Sequence, residues 1–346
     1  MTADTTPSRI PASLRALWLL IQAGILLYGL GAMGYLLARF AVGERWPWVA
    51  LANNFVPWWA LGGLVAAGVG LLARRRWLLV TVQVPILIAF LVWYGPLLLP
   101  KDSVAQAGNG THLTVATFNT LSFYSDPEQV RDVIADLDAD VIGLQEVGPE
   151  HTALFERDLA DQYPYQALYP ELPVSGVALL SRYPILEEEV FRPLKWQSMM
   201  HLRAVLDVDG TRVTFYVAHP SPPYHVASPL HYDSWRRDTE IDILRQDYLV
   251  HERGPLLVVG DFNMTDQSNP YRDMNALLDD TFREVGWGLG FTFPDPSRFN
   301  LSVTPLLIRI DYVWHDEHFT ALDVSVGESS GGSDHRPVVA ELVLKP

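Results

Sequence analysis

Three long uncharged runs near the N-terminus constrain this 346-residue chain more than any other feature. No charged residue occurs in the 23 positions between Arg15 and Arg39, the 28 between Arg45 and Arg74, or the 24 between Arg76 and Lys101. Each run exceeds the roughly 20 residues that carry a helix across a bilayer. One such run could be a buried core helix. Three within a hundred residues predict three transmembrane α-helices and a membrane domain over residues 1–100. A cleaved signal peptide is disfavoured, because the first run is long and lacks a small-residue cleavage site. Trp18, Trp46, Trp48, Trp58, Trp59, Trp77 and Trp93 fall near the expected span ends, where interfacial tryptophan collects.

Charge divides the chain the same way. Residues 1–100 carry seven arginines against two acids, net +5, and the remainder carries 18 basic and 38 acidic residues, net −20. Arg9, Arg15, Arg74, Arg75 and Arg76 flank one side of the expected spans, against Arg39 and Arg45 on the other. The positive-inside rule then puts the N-terminus in the cytoplasm. The chain is expected to be a multi-pass protein of the cell membrane, with everything after Pro100 extracytoplasmic. There is no cysteine, hence no disulfide frame, thiolate metal site or cysteine nucleophile.

Residues 101–111, "KDSVAQAGNGT", read as a polar linker, and residues 112–346 as the soluble domain. Apolar strand-like runs alternate there with helical patterns, which predicts an α/β domain. Asp126-Pro127-Glu128 reads as a helix start. Asp209-Gly210 between two β-rich runs reads as a hairpin. The stretch ending at Gly254 reads as one amphipathic helix.

Polar residues collect at the strand ends. "TFN" ends in Asn119, "LQE" in Glu146, "AHP" holds His219, and "VVGDFNMT" presents Asp261 and Asn263. "RIDY" carries Asp311, and Asp334-His335 precedes the last strand. One strand ending in Asp is a turn, but six such ends with carboxylates, amides and imidazoles suggest a shared pocket. In an extended chain, Asp261 and Asn263 would share a face. The donor set suits phosphate ester hydrolysis assisted by a hard divalent cation, Mg²⁺, with Mn²⁺ as the alternative. Glu146 and Asp334 can supply charge to the metal and Asn119 a neutral oxygen. Asp261 can orient or deprotonate water. His219 and Asn263 can donate to phosphoryl oxygens. Asp311 can fix the tautomer of His335 and stabilise its charge. Zinc is disfavoured, because His219 and His335 are far apart and no H-x-x-x-H pair exists. His201, His225 and His231 are expected at the surface or rim.

The series "TFN", "LQEV", "SRYPI", "AHP", "GDFN", "RIDYVW" and "SDHRPV" resembles the endonuclease/exonuclease/phosphatase superfamily, in its order, over roughly residues 112–345. The resemblance implies two mixed β-sheets packed face to face with helices outside, a four-layer α/β sandwich. It implies metal binding by Glu146 with Asn119 and Asp334 nearby, and water handled by Asp261. Asn263 and His219 are implied at the phosphate, and Asp311 paired with His335. Arg203, in "HLRAVL", matches a position where members often carry a substrate-binding arginine near the phosphate; a strand-edge salt bridge is the competing reading. The chain departs from the pattern at Leu121, where some family nucleases are acidic, which weakens a DNA-repair assignment.

Three functions remain open on the sequence. The first is a membrane-anchored phosphoesterase acting on a lipid-linked or other extracytoplasmic phosphate ester or pyrophosphate, its substrate drawn from the same bilayer. The second is a surface nuclease, although the acidic domain lacks the basic footprint of general nucleic-acid binding. The third is a non-catalytic membrane binding module, against which the intact polar set argues.

Overall fold

The computed structural model describes residues 11–101, 110–225, 228–295 and 306–346, without the side chains of 224–231. The expected linker lies mostly outside the described residues, as do the side chains at the middle of the "SPPYHVASPLHYDSW" stretch. The chain divides into two compact units, one ending at Pro96 and the other beginning at Leu97.

In the first unit, α1 (Ala12–Ala41) is a single 30-residue helix. Helices α2 (Pro47–Asn53) and α3 (Val56–Gly70) follow, then α4 (Arg76–Thr81) and α5 (Val84–Tyr94). Two stretches, Ala12–Ala41 and Arg76–Leu98, are long and apolar enough to cross a membrane. The middle run differs from the single helix expected. It breaks between α2 and α3 with a bend of 74°, and makes a third span only if the bent pair crosses as one. Pro57 lies in the first turn of α3. Its ring and missing N–H prevent the preceding helix from running through.

The second unit begins with β1 (Thr111–Asn119), α6 (Pro127–Asp136), β2 (Val141–Gln145), α7 (Pro149–Asp158), β3 (Tyr165–Tyr169), β4 (Val177–Ser181), β5 (Ile185–Phe191), β6 (His201–Val208) and β7 (Thr211–Ala218). A short hairpin, β8 (Tyr224–His225) and β9 (Ser228–Tyr232), leads to α8 (Trp235–Ile243), β10 (Leu256–Asp261), α9 (Asn269–Asn275), β11 (Asp279–Asp280) and α10 (Thr281–Val285). The strands β12 (Asp311–His315), β13 (Phe319–Val326) and β14 (Val338–Leu344) complete it.

Local signals operate as read. Asp126 caps α6 by accepting from the N–H groups of Glu128 and Gln129 at 2.9 and 3.2 Å. Asp209 and Gly210 both take positive φ, 51° and 90°, as the tight turn joining right-twisted strands requires. The helix toward Gly254 is not uniform: α8 passes into a π turn at Leu244–Tyr248 and a 3₁₀ turn at Leu249–His251.

Sheet A has the order β13-β14-β1-β2-β4-β3 and sheet B the order β11-β12-β10-β7-β6-β5. Each contains one parallel pair, β1 with β2 and β10 with β7, among antiparallel neighbours. The sheets pack face to face. A Cβ at Gly143 of sheet A would fall 2.4 Å from Val259 and 3.0 Å from Val217 of sheet B, so only glycine lets the layers approach there. Val130 and Ile134 of α6 and Phe155 of α7 cover the outer face of sheet A. Ile241 of α8 and Tyr271 and Met274 of α9 cover sheet B. The result is a helix–sheet–sheet–helix sandwich. The inner strands β2, β4 and β10 are buried along their whole length and so are apolar without alternation, whereas the edge strand β5 is exposed over Leu186–Glu189.

Strand direction positions the polar ends. The parallel pairs send the C-terminal ends of β1, β2, β7 and β10 to one edge of the sandwich. Their antiparallel neighbours β12 and β14 bring N-terminal ends to the same edge, where Asp261 lies opposite Asp311 in register.

Candidate active site

Asn119, Glu146, His219, Asp261, Asn263, Asp311, Asp334 and His335 meet at that edge. Asn119 closes β1, and Glu146 follows β2 with φ of 56°, a left-handed conformation. The Thr120 hydroxyl holds it there by donating to the carbonyls of Gln145 and Glu146 at 3.1 and 3.0 Å. Non-glycine residues in this region mark sites where the surroundings over-determine the backbone.

Asp261 ends β10 behind Gly260, whose φ is 153° and where a Cβ would stand 1.8 Å from the Ala218 carbonyl. No other residue lets β10 approach β7 so closely there. The chain then turns. The Asn263 N–H donates to Asp261 Oδ1 at 2.8 Å, with Asn263 at φ 51°. Asp261 and Asn263 are neighbours, as the sequence suggests, but through a turn closed by the aspartate and not through strand alternation. The turn is the device that builds the site.

Asn119, expected as a neutral metal ligand, has its amide oriented by the backbone. Its Oδ1 accepts the Leu121 N–H at 3.1 Å. That backbone group can only donate, so it fixes which way the amide faces. Nδ2 therefore points at the carboxylates, donating to Glu146 Oε1 at 3.0 Å and Asp261 Oδ2 at 3.1 Å. In this orientation Asn119 presents its amide nitrogen to the two carboxylates and its oxygen to the backbone.

Asp311 and His335 form a pair, with Nδ1 3.0 Å from Asp311 Oδ2. His335 Nε2 lies 3.6 Å from Asp261 Oδ2 and 4.0 Å from Asp334 Oδ1. Burial opposes the charge on His335, but Asp311, Asp261 and Asp334 together push its pKa up to about 10. Burial pushes Asp261 up to about 7, with the charge of Asp311 adding to it and His335 opposing it. Burial likewise pushes Glu146 up to about 8, against the hydrogen bond from Asn119. His219 is buried and held down to about 3, and its Nε2 lies 3.7 Å from Glu146 Oε1 and 3.9 Å from Asp261 Oδ2. It is neutral at ordinary pH, and these separations exceed a hydrogen bond.

Among the described residues, three atoms here are buried without a hydrogen-bond partner: Glu146 Oε2, Asp334 Oδ1 and His219 Nδ1. Orphaned buried acceptors are costly. Two carboxylate oxygens left open at one edge fit a hard cation. Asp261, Asp311 and His335 also bring donor atoms within 4.8 Å of one another. That trio suits a metal less well, because His335 Nδ1 is already bound to Asp311.

Asn263 Nδ2 donates to the Pro220 carbonyl at 3.0 Å and lies 3.3 Å from Asp261 Oδ2. Two residues invisible as candidates in the sequence hold the constellation. Buried Arg237 donates to the Asn263 carbonyl at 2.8 Å. Ser333 donates to the Asn119 carbonyl at 2.7 Å and accepts the His335 N–H at 3.1 Å, tying "SDHRP" to β1. Ser333 could have been found as the first residue of that motif; Arg237 has no such signal.

Arg203 is the predicted site residue that the structure does not bring to the cluster. It lies opposite Tyr216 in the β6–β7 register. Tyr216 packs into the outer core under α8, whereas His219 and Val217 occupy the other parity. Arg203 instead forks onto Glu252, Nε to Oε1 at 2.6 Å and Nη2 to Oε2 at 3.2 Å. His201 also departs from expectation. It is fully buried against Phe191, 5.4 Å between ring centroids, not at the rim.

Residues 116–335 match the model of the Endonuclease/Exonuclease/phosphatase family. Among solved structures, an endonuclease/exonuclease/phosphatase from Beutenbergia cavernae DSM 12333 is 21% identical, with a TM-score of 0.53 over 68% of this chain and 72% of that one. TDP2 from D. rerio, complexed with a single-strand DNA product, is 17% identical, with a TM-score of 0.53 over 67% and 99%. The human Nocturnin catalytic domain with bound sulfate is 16% identical, with a TM-score of 0.51 over 68% and 95%. At these identities the likenesses establish the fold. No curated protein matches the chain.

Proposed function

The chain belongs to the endonuclease/exonuclease/phosphatase family, and on that premise we propose that the cluster hydrolyses a phosphate ester or pyrophosphate with a divalent cation held by Glu146 and Asp334. The observation that carries this reading is the pair of orphaned carboxylate oxygens, Glu146 Oε2 and Asp334 Oδ1, beside a carboxylate fixed by donors. All-oxygen donors favour Mg²⁺, with Mn²⁺ as the alternative. When bound, such a cation neutralises charge building on the phosphoryl oxygens.

Asp261 is the base. The Asn263 N–H and Asn119 Nδ2 orient its carboxylate. Its raised pKa makes it a stronger proton acceptor than an exposed aspartate. As the water oxygen bonds to phosphorus, its proton passes to Asp261 and the bond to the leaving oxygen breaks. His335, kept charged by Asp311, sets positive charge against the charge that develops. Neutral His219 and the Asn263 amide supply hydrogen bonds. The amide trades its bond to Pro220 for the phosphate. Arg203 has no part in this assignment.

The finer reading is a membrane-anchored enzyme with its catalytic unit outside the cytoplasm, acting on a lipid-linked phosphate. A membrane tether would raise the effective concentration of a lipid substrate. A reporter fused after Pro346 should be active outside the cytoplasm and one in the 73–77 loop inside. A cytoplasmic C-terminal signal refutes the orientation.

Purified full-length protein in detergent tests the activity against plasmid DNA, sphingomyelin, phosphoinositides, polyprenyl pyrophosphate and an aryl phosphodiester. Hydrolysis of one class that vanishes with chelator and returns with Mg²⁺ is the expected result. Undiminished hydrolysis at saturating chelator rules out the cation, and no hydrolysis of any class rules out the reading.

A further inference from the structure

Beside the cluster lies a cavity of about 370 Å³ whose lining includes Glu171, Arg192, Trp196, Ser198, Ser221 and Arg236. That volume is within the range of small-molecule sites, roughly 300–1,000 Å³. Two of its walls grow directly out of the catalytic strand ends. Ser221 follows Pro220, whose carbonyl accepts Asn263 Nδ2 at 3.0 Å. Glu171 donates its N–H to the Val147 carbonyl at 3.1 Å, and Val147 donates to the Gly176 carbonyl at 3.0 Å. Val147 is the residue after Glu146. The cavity is therefore reached from Glu146 and from Asn263 through one neighbouring residue each.

Its charge is concentrated in two guanidiniums. Arg192 donates to the Ser198 carbonyl at 2.6 Å and pairs with Glu171. Arg236, half-buried in the first turn of α8, makes no hydrogen bond or ion pair among the described residues. The acid that feels its charge is Glu240. Both Glu240 oxygens are already taken, by the Ser221 N–H and hydroxyl at 2.7 Å each. A guanidinium fork facing a concave space, with its nearby carboxylate committed elsewhere, suits a phosphoryl group that accepts two parallel bonds. Glu171 has a side chain 43% exposed, so it can leave Arg192 when a stronger anion enters.

We propose that this cavity is a subsite for a second phosphoryl group, so that the substrate is a diphosphate whose uncleaved phosphate is gripped by Arg236 and Arg192. This deepens the phosphoesterase reading and rests on it. A compact pocket with two arginines, in a domain of net charge −20, differs from the basic track that a nucleic-acid strand requires.

The test uses full-length protein in detergent with saturating Mg²⁺ and two probes, decyl diphosphate and decyl monophosphate. Arg236→Gln should raise KM for the diphosphate on the order of tenfold more than for the monophosphate, the scale of one charged hydrogen bond. The effect on kcat should stay within about threefold. Arg236→Lys keeps the charge without the fork and should recover part of the loss. An equal shift for both probes, or none, overturns the subsite. If wild type hydrolyses neither probe, calorimetry still decides. Wild type should bind methylenediphosphonate at least about tenfold more tightly than methylphosphonate, and Arg236→Gln should erase that preference. A preference that survives the substitution, or that wild type lacks, refutes the subsite. Loss of hydrolysis with the preference intact refutes only the phosphoesterase reading. Arg236 has no hydrogen bond or ion pair to lose among the described residues, and circular dichroism checks that each variant is folded.

Discussion

Sheet B buries two ion-rich clusters, and they differ in one respect. Behind the start of β12, Arg309 forks onto Asp280 with bonds of 3.0 and 2.7 Å. Asp280 accepts further bonds from the Tyr271 hydroxyl at 2.7 Å and the Phe282 N–H at 3.0 Å. Arg283 pairs with Asp266, and Arg309 lies 4.5 Å from the ring of Tyr312. Every Asp280 oxygen is used twice, and one donor, Arg309 Nε, is left over. At the catalytic edge the leftover atoms include acceptors, Glu146 Oε2 and Asp334 Oδ1, and the raised pKa values of Glu146 and Asp261 mark carboxylates whose charge burial penalises. Burial of charge is common to both clusters. What separates them is whether the anions are saturated, and an unsaturated buried anion marks a place for something the chain does not itself supply.

Exchanging one carboxylate for an amide in each cluster is the sharpest test. Asp261→Asn should cut turnover by about 10²–10⁴-fold, because an amide cannot take the proton from water. Its thermal stability should hold or rise, because the variant no longer buries a strained carboxylate. Asp280→Asn should do the reverse, costing about 3–5 kcal/mol by leaving buried Arg309 only its longer contact to Asp266, 3.5 Å from Nη2, with turnover of the folded fraction little changed. Steady-state kinetics and thermal unfolding on both variants check this. An Asp261→Asn enzyme with near-normal turnover would reduce "VVGDFNMT" to a strand and its turn.

Cation removal sharpens the contrast through pH. The folded pKa values of Glu146, Asp261 and His335 all lie above their unfolded ones. These three groups therefore bind more protons in the folded state, and without cation the stability they contribute is lost as pH rises from about 4.5 through about 8, with the His335 contribution lost toward about 10; His219, His201 and His151, whose pKa values are lowered, oppose this only below about pH 6.5. In chelator, the melting temperature should drop on the order of 5 °C between pH 6.5 and pH 8. Glu146→Gln should flatten that slope, and saturating Mg²⁺ should abolish it. A chelated protein whose melting point is independent of pH in this window would show that the orphaned oxygens carry no such cost.

What the sequence made legible follows from where polar residues stand out. Asn119, Glu146, His219, Asp261, Asp311 and His335 each interrupt or end an apolar run, and strand polarity brings them together. Asn263 was legible as a neighbour of Asp261, through a turn or through strand alternation, because Gly-Asp-Phe-Asn suits both geometries. The amide orientation of Asn119 depends on one backbone N–H at Leu121 and is absent from any residue pattern. The break between α2 and α3 falls at Asn53, Asn54 and Pro57, and an uncharged run of spanning length outweighed those signals, since a span and a bent pair have the same composition. His201 reads as a polar residue and is buried because Phe191, from the neighbouring strand, covers it.

Arg203 carries the smallest expected effect, and it tests the parity argument directly. Strand β6 alternates, with His201, Arg203 and Asp207 on one face and Leu202, Ala204, Leu206 and Val208 on the other, so "HLRAVL" separates its arginine from the apolar face without showing what lies opposite it. The register with Tyr216 and the fork onto Glu252 put it on the outer face, where the Tyr216 hydroxyl also donates to Glu252 at 2.7 Å. The arginine side chain is 24% exposed and Glu252 14%, so the pair is neither a surface pair nor fully desolvated. Arg203→Gln should therefore cost on the order of 1 kcal/mol of stability, between the exposed and buried limits. Turnover and KM should stay within about twofold, because the side-chain partners of Arg203 are Glu252 and Glu187 and not residues of the cluster. Thermal unfolding and steady-state kinetics on the best substrate of the panel make the measurement. A tenfold rise in KM with unchanged stability would mean that Arg203 leaves Glu252 to reach the phosphate, and that the family resemblance had read this residue better than the register does.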